Sequence, residues 1–300
     1  MMASFADASP YSIDIIPKTE IEVLNQEIAE DEAMYRIRAR KRVHYLTIPV
    51  HPDPVFDEFT LCRPYLLIPK LPPFPNADWT KIRVFQSPGG EIKSDISYEP
   101  LSQIQSSWHP RHIDVLSLKR ISSHNARVKE VEFEGRTVFS KMAIFEWWIP
   151  QVERETRVYE IIAENQCPDK PPIAPAFLGH LTEQGRTIGF LIENIQGDYA
   201  SLVNLPECEA ALRRLHSMGL VHGDANRYNF VVERSTGHVK MIDFEHAEAY
   251  DEEKARLEIE ELKAQLTEET GRGASVMVVN GVEKRSGAAP IPYTYHADEN

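Results

Sequence analysis

The chain has 300 residues, of which 46 are acidic and 33 are basic, so its formal net charge is −13. This acidic balance argues against a nucleic-acid-binding protein, in which positive charge supplies most of the affinity. Three cysteines without paired spacing argue against a disulfide framework, and no apolar run approaches the roughly 18 residues that a membrane span requires.

The first 110 residues are predicted to form an N-terminal extension of mixed structure. Residues 18–35 carry apolar side chains at roughly helical spacing, which predicts an amphipathic helix. Apolar and basic residues then alternate over residues 37–45, as on a strand. Residues 52–100 are rich in proline and aromatic residues, and we expect them to be irregular apart from short strands at 65–68 and 82–85.

A basic cluster in the predicted strand allows two interpretations. It consists of Arg36, Arg38, Arg40, Lys41 and Arg42. Basic residues that alternate with apolar ones are typical of the solvated face of a strand, which is the interpretation we favour. The alternative is a phosphate-binding surface or a nuclear address. Because the start of the chain also lacks the pattern of a secretory signal, we expect a soluble cytoplasmic protein, with a nuclear location left open.

Three strand-like runs follow in close succession. They cover residues 115–123, 126–135 and 136–145, with a turn between the last two at Glu134-Gly135. A helix is predicted after Pro150, because proline is favoured in the first helical turn. The runs APAFLGHL and RTIGFLIENI predict two further strands.

Two more helices and a tail complete the predicted elements. One helix opens at Pro206 and ends before Gly219, which suits a helix C-cap. The helix predicted over residues 251–270 has one apolar stripe, which we expect to pack on its own domain instead of forming a coiled coil. Residues 271–300 lack periodicity and are predicted to be a flexible tail. The stripe contains Ala255, Ile259, Leu262 and Leu266.

One stretch combines the residue types that phosphoryl transfer requires, LHSMGLVHGDANRYNFVVERSTGHVKMIDFEHA. Asn229 lies five residues beyond Asp224, and Asp243 lies 19 residues beyond it. The reaction needs a carboxylate that orients or deprotonates the attacking hydroxyl, together with oxygen ligands for Mg²⁺. Asp224 is therefore the candidate base, and Asn229 and Asp243 are the candidate metal ligands.

The His222-Gly223-Asp224 triplet, Asn229 and the IDFE run resemble the protein-kinase-like superfamily, whose catalytic loop reads H-x-D-x4-N. The stretch is more similar to the branch of aminoglycoside phosphotransferases, choline kinases, RIO kinases and lipopolysaccharide-core kinases, and to uncharacterised kinase-like proteins of filamentous fungi. The resemblance implies an α+β, bilobal kinase-like fold with a reduced C-terminal lobe. Its expected parts are an extension over 1–110, an N-lobe over 111–197, a reduced C-lobe over 198–270 and the tail over 271–300.

The resemblance also implies a site for ATP. A strand lysine held by a helix glutamate would grip the phosphates, and Lys141 with Glu155 is the predicted pair. Backbone groups near Glu193 and Ile195 would pair with adenine above an apolar floor. Lys129, Glu153 and Glu160 are rivals for the ion pair, and Val231 and Ile242 form the predicted floor.

Three residues beside the catalytic carboxylates have two interpretations each. Arg227 would stabilise the charge of the transferred phosphate or lie on the surface. His222 resembles the family histidine that braces the loop, which we favour over proton transfer. Glu245 would assist Mg²⁺ or cap its loop.

Three departures from the family pattern bear on function. The run ISSHNARV has no glycine where a phosphate loop would lie, and it leaves Ser122, Ser123 and Asn125 as donors. Phe139 replaces the small residue usual above adenine, and no Ala-Pro-Glu segment follows Asp243. The sequence predicts an ATP- and Mg-dependent phosphotransferase acting on the hydroxyl of a small molecule rather than of a protein. The alternative is a pseudokinase that serves as a binding or scaffold module.

Overall fold

The structure is a computed structural model, and it describes residues 14–268 together with the backbone of 276–279 and 282–285. Over these residues the protein is a mixed α+β protein, built mostly from sheets with few helices. The chain divides into two compact units, Met1–Leu101 and Ser102–Asn300, whereas the sequence predicts the first boundary at residue 110. Within the described part, no helix has both the length and the apolar character that crossing a bilayer demands.

The first unit contains a five-stranded sheet, and residues of two short helices belong to its core. Its elements are β1 (Ile15–Ile16), β2 (Ile21–Ile28), β3 (Glu32–Ala39), β4 (Arg42–Pro49), α1 (Glu58–Leu61), α2 (Pro64–Lys70), β5 (Phe74–Pro75), β6 (Lys81–Gln86) and β7 (Ile92–Ser97). The strand order is β2-β3-β4-β6-β7, and β4 and β6 are parallel while the other neighbours are antiparallel. Leu61 and Leu67 bring the helices into the buried core of this sheet.

The prediction of an amphipathic helix over residues 18–35 is wrong, because Lys18–Glu20 forms only a short 3-10 turn and the residues after it form β2 and the start of β3. The two strands pair antiparallel, with Ile21 opposite Ala39. A shift of register between Val23 and Asn25 marks a bulge, which moves the alternation of side chains by one residue. Ile21 and Ile28 therefore both contact the core of the unit, although they are seven positions apart and an odd spacing would put them on opposite faces of a regular strand. This spacing fits a helix as well as a bulged strand, which is why the pattern was misleading.

Two further predictions in this unit need correction. The single strand predicted over 37–45 is a hairpin, because β3 and β4 are joined by a turn in which Arg40 has a φ of 56°. This turn has neither glycine nor asparagine, so the sequence carries no turn signal there. The strand predicted at 65–68 lies in α2, since a four-residue apolar run is too short to show a period. The strand predicted at 82–85 is confirmed as part of β6.

The basic cluster does not form an open positive surface. Arg36 is only 4% exposed and donates a hydrogen bond to Asn25, so it does not lie on a solvated face. The other three arginines form ion pairs within the unit. These pairs are Arg38–Glu22, Arg40–Asp14, Arg40–Glu20 and Arg42–Asp78.

The second unit contains the remaining elements. They are β8 (His112–Asp114), β9 (Lys119–Ser123), β10 (Val128–Phe133), β11 (Arg136–Met142), α3 (Ile149–Glu164), β12 (Phe177–Glu183), β13 (Arg186–Glu193), β14 (Gly197–Tyr199), α4 (Leu205–Ser217), β15 (Leu220–Val221), β16 (Phe230–Glu233), β17 (Val239–Met241), β18 (Glu248–Ala249), α5 (Glu252–Leu266), β19 (Val276–Val279) and β20 (Val282–Arg285). Residues 102–110 belong to this unit, since buried Ile104 donates its N–H to the carbonyl of Thr187.

A six-stranded sheet forms the first part of this unit. Its order is β8-β12-β13-β11-β10-β9, with β8 parallel to β12 and the other neighbours antiparallel. Four of the five predicted strands are confirmed as β10, β11, β12 and β13. The run predicted over 115–123 is a strand only from Lys119, because Val115–Ser117 forms a 3-10 helix. The turn at Glu134-Gly135 is confirmed, since both residues have positive φ as a two-residue hairpin requires. The helix predicted after Pro150 is confirmed as α3, and its buried residues Val152 and Val158 belong to the same core as Phe190 of β13.

Helices α4 and α5 and the small sheet β14-β16-β17 form the second part. The two predicted helices are confirmed, and Gly219 follows α4 with a φ of 84°. Leu262 and Leu266 place the predicted stripe of α5 in the core of this unit, together with Leu212 and Phe230. Apart from the strand pair β19–β20, the predicted tail over 271–300 lies outside the described residues.

Candidate functional site

A buried lysine at the end of β11 contacts carboxylates from two other elements. Lys141 is 6% exposed, and its Nζ lies 2.5 Å from Oε2 of Glu155 on α3. The same nitrogen lies 2.5 Å from Oδ1 of Asp243, which follows β17. Oε2 of Glu245 lies 3.4 Å away. The structure thus brings together the predicted Lys141–Glu155 pair and the predicted metal ligand Asp243.

The residues considered as rivals for the ion pair, Lys129, Glu153 and Glu160, are placed differently. Lys129 stands opposite Ser140, the neighbour of Lys141, so its side chain leaves the other face of the sheet. Glu153 accepts hydrogen bonds from the backbone of residues 105 and 106. Glu160, two turns further along α3, accepts one from the hydroxyl of Ser106. Both rival glutamates therefore hold the segment before β8.

The charges of the buried cluster do not balance. Glu155, Asp243 and Glu245 each place a carboxylate oxygen within 4.8 Å of the others, while the cluster has two cations, Lys141 and Arg127. Burial works against the charged form of Lys141, but the three carboxylates outweigh it and raise its pKa. Burial also raises the pKa of Glu155 to about 7, against the attraction of Lys141 and with the help of Asp243. The cluster has a net charge of −1 when every group is ionised.

Asp243 begins a turn whose backbone conformation is uncommon. It has φ 63° and ψ 63°, the left-handed region that costs a non-glycine residue about 1 kcal/mol. The next residue, Phe244, is buried and packs edge-on against Tyr159 with ring centroids 5.5 Å apart, which anchors the turn. The side chain of Asp243 remains 41% exposed. Burial opposes its charged form, but Lys141 outweighs burial and holds the pKa of Asp243 below its ordinary value.

The loop after β15 positions the candidate base beside a candidate ligand. Nδ2 of Asn229 donates to Oδ2 of Asp224 at 3.0 Å and to its backbone carbonyl at 2.8 Å. Because the amide nitrogen is used in this way, the carboxamide oxygen of Asn229 is the atom suited to a metal. The N–H of Ile242 donates to the carbonyl of Asn229 at 2.9 Å, so the chain segment that leads to Asp243 runs beside this loop.

His222 braces the same loop, in agreement with the favoured interpretation. The residue is fully buried, its Nε2 lies 3.1 Å from the carbonyl of Ile242, and its Nδ1 accepts from the N–H of Asp224 at 3.4 Å. A neutral imidazole with its proton on Nε2 makes both bonds. Burial lowers the pKa of His222 and so favours this neutral form.

One positioning contact of the loop was not predicted. Glu258 of α5 accepts a hydrogen bond from the N–H of Gly223 at 2.6 Å and pairs with Nε2 of His216 at 2.8 Å. In the sequence it is one of many acidic residues on a helix, so no local signal distinguishes it.

The predicted phosphate contact Arg227 makes its hydrogen bond to a residue that follows α5. Its guanidinium donates to the carbonyl of Glu268 beyond α5 at 3.3 Å. Its Nε is buried and has no hydrogen-bond partner in the part of the chain that the structure describes.

The predicted adenine contacts are partly engaged within the protein. The N–H of Glu193 donates to the carbonyl of Ala176 at 2.9 Å, and its carboxylate pairs with Lys240 at 3.0 Å. Ile195 lies between β13 and β14. Of the two predicted floor residues, Val231 is buried on β16, and half-buried Ile242 lies between β17 and Asp243.

The turn between β9 and β10 contains a second residue that sequence reasoning missed. Of the predicted donors there, the hydroxyl of Ser122 donates to Glu130. Arg127 makes two hydrogen bonds to Glu245, at 2.7 and 3.3 Å, and its guanidinium lies 4.0 Å from the ring centroid of Trp148. Its acidic partner is 118 residues away in the chain, so no local pattern could reveal the pair.

No protein-family model matches the chain, and no curated protein matches it either.

Proposed function

We propose that the second unit is a lean kinase-like phosphotransferase that uses Mg-ATP to phosphorylate a hydroxyl group of a small molecule. The observation that carries the proposal is the contact of Lys141 with both Glu155 and Asp243. In the protein-kinase-like superfamily, which the sequence resembles, a strand lysine, a helix glutamate and a metal-binding aspartate take these places. The six-stranded sheet with α3 would then be the N-lobe, and the part containing α4 and α5 the reduced C-lobe.

Five residues have a role in this proposal. Lys141 holds the phosphates of the nucleotide, and Glu155 keeps the ammonium in place. Asp224 orients the acceptor hydroxyl and takes its proton, while Asn229 fixes the carboxylate of Asp224 through its amide nitrogen. The oxygens of Asn229 and Asp243 are hard ligands suited to Mg²⁺, which when bound neutralises charge on the phosphate oxygens.

A small-molecule acceptor is favoured by the residues that follow Asp243. Residues 244–300 contain no Ala-Pro-Glu segment, which in protein kinases belongs to the part that docks a peptide. A compact hydroxyl compound needs no such surface.

A pseudokinase is the second candidate, and a specific observation favours it. The turn between β9 and β10 has no glycine, and the side chain of Asn125 accepts from the N–H groups of Arg127 and Val128. Phe139 lies on the neighbouring strand with its ring 5.1 Å from that of His124. A phosphate loop that has no glycine and bonds its own amides is compatible with a module that binds a nucleotide but does not catalyse its turnover.

Calorimetric titration of the full chain with Mg-ATP tests the first proposal. We expect saturable binding to the wild type that is lost in Asp243→Ala and when Mg²⁺ is removed by a chelator. Asp198→Ala is the matched control, because it removes the same charge from an exposed pair with Arg234 in the same unit. Absence of Mg-dependent binding to the wild type would overturn the proposal.

Turnover separates the enzyme from the pseudokinase. The enzyme predicts slow ATP hydrolysis without an acceptor, reduced by at least about a hundredfold in Asp224→Ala because the base is removed. The pseudokinase predicts Mg-ATP binding with no hydrolysis above that of Asp224→Ala.

A further inference from the structure

We infer that Arg127 binds the phosphates of the nucleotide in place of the backbone amides of a glycine-rich loop, and that Glu245 holds its guanidinium when no nucleotide is bound. The inference rests on the nucleotide site proposed above. It assigns a phosphate contact to a residue of the β9–β10 turn, where the sequence offers no glycine.

The backbone amides of this turn are already used within it. The N–H groups of His124 and Asn125 donate to the carbonyl of Val128 at 3.0 and 3.3 Å. Those of Arg127 and Val128 donate to the side-chain oxygen of Asn125 at 2.9 and 2.8 Å. In a glycine-rich loop such amides point to the phosphates and bind them. Here four of the five residues 124–128 satisfy their amides internally, so a side chain must supply the donors.

The guanidinium of Arg127 is well placed to supply them. Its side chain is only 14% exposed, stacks on Trp148 and makes two bonds to one carboxylate. The planar fork of an arginine fits the paired oxygens of a carboxylate and of a phosphate equally well. The backbone around it is also fixed, since the N–H of Met142 donates to the carbonyl of Arg127 at 3.1 Å.

One carboxylate oxygen marks the position where an anion fits. Oε2 of Glu245 lies 2.7 Å from Nη1 of Arg127 and 3.4 Å from Nζ of Lys141. A phosphate oxygen in that position would contact the same two cations, one of which is the lysine that the proposed function already assigns to the phosphates. Exchange of Glu245 for phosphate gives the two Arg127 nitrogens that now bond to Glu245 a new acceptor. The exchange therefore avoids the penalty for a buried, unsatisfied charge.

Calorimetry with adenosine, Mg-ADP and Mg-ATP on Arg127→Ala tests the assignment. We expect the affinity for Mg-ATP to fall by about tenfold to a hundredfold, the usual effect of losing a charged hydrogen-bond pair, while the affinity for adenosine stays within twofold. Arg127→Lys keeps the charge but loses the fork, so an intermediate loss is expected even if the alanine variant does not fold. Arg157→Ala is the matched control, because it removes one cation from the exposed face of α3. It should leave the affinities for adenosine, Mg-ADP and Mg-ATP unchanged.

Two results would overturn the inference in distinguishable ways. If the wild type binds Mg-ATP and the Arg127 variants bind it equally well, or lose adenosine and Mg-ATP by the same factor, Arg127 only ties its turn to the Asp243 loop. If the wild type binds neither adenosine nor Mg-ATP, the nucleotide site itself is refuted, and the assignment of Arg127 with it.

Discussion

Replacement of Glu155 by glutamine tests the charge imbalance of the buried cluster. Glutamine has nearly the same shape but does not ionise, so Lys141 keeps its contacts with Asp243 and Glu245 while one of three carboxylates disappears. In the wild type, burial raises the pKa of Glu155 from 4.5 to about 7, so the folded protein holds a proton that the unfolded chain releases. This proton stabilises the folded state fully below pH 4.5, and the contribution is lost as the pH rises through about 7.

The size of the effect follows from the shift. Each pKa unit corresponds to about 1.4 kcal/mol, so the shift of Glu155 from 4.5 to about 7 amounts to about 3 kcal/mol of unfolding free energy. We expect the wild type to lose that much stability relative to Glu155→Gln between about pH 4.5 and pH 8. The same substitution is expected to weaken Mg-ATP binding, because Lys141 loses its partner on α3. Stability and nucleotide affinity would then change in opposite directions at alkaline pH.

Urea unfolding of both proteins over this pH range measures the effect. Tryptophan fluorescence reports mainly on the second unit, since it contains Trp108, Trp147 and Trp148 of the four tryptophans. The difference between the two proteins cancels groups that titrate equally in both. A difference in unfolding free energy that is the same at acid and alkaline pH would refute the raised pKa of Glu155 and the charge imbalance from which it follows.

Two further predictions concern single backbone and side-chain contacts. Gly223 has a φ of 77°, and a Cβ there would lie 2.1 Å from the carbonyl oxygen of His246, so Gly223→Ala should cost more than about 2 kcal/mol in urea unfolding. Gly237→Ala is its control, because a φ of 74° with open space leaves only the backbone cost of about 1 kcal/mol; equal losses would contradict the clash. In the first unit the hydroxyl of Tyr35 donates to the buried carbonyl of Leu61 at 2.8 Å, so Tyr35→Phe should lower the unfolding free energy by about 1 kcal/mol, and an unchanged midpoint would show that the bond contributes nothing.

The acidity of the chain is concentrated near the proposed site. Residues 243–270 contain 11 acidic and 3 basic side chains, a local net charge of −8 out of −13. Asp243 and Glu245 belong to the buried cluster, and Glu258 holds the loop of Asp224, while other members lie on the exposed face of α5. The excess charge thus combines residues of the site with an ordinary solvated helix face.

Local signals predicted much of the second unit and little of the first. Three elements of the second unit carry their signals in or next to their own residues. These elements are the hairpin at Glu134-Gly135, the helix after Pro150 and the helix that ends before Gly219. The first unit depends instead on pairing between distant strands. A bulge near Val23 and a turn at Arg40 without glycine gave patterns that were mistaken for a helix and for one continuous strand.

The same distinction applies to the candidate site. The sequence alone placed Asp224 and Asn229 five positions apart in one loop, and it proposed Lys141, Glu155 and Asp243 through a resemblance. The hydrogen bond between Asp224 and Asn229 is seen only in the structure. Only the tertiary structure decided that Lys141 contacts Asp243 across 102 residues and that Arg127 contacts Glu245 across 118. Contacts of this range depend on how the sheet, α3 and the Asp243 turn pack. Packing energy is shared among many buried side chains, so no single stretch of sequence encodes it.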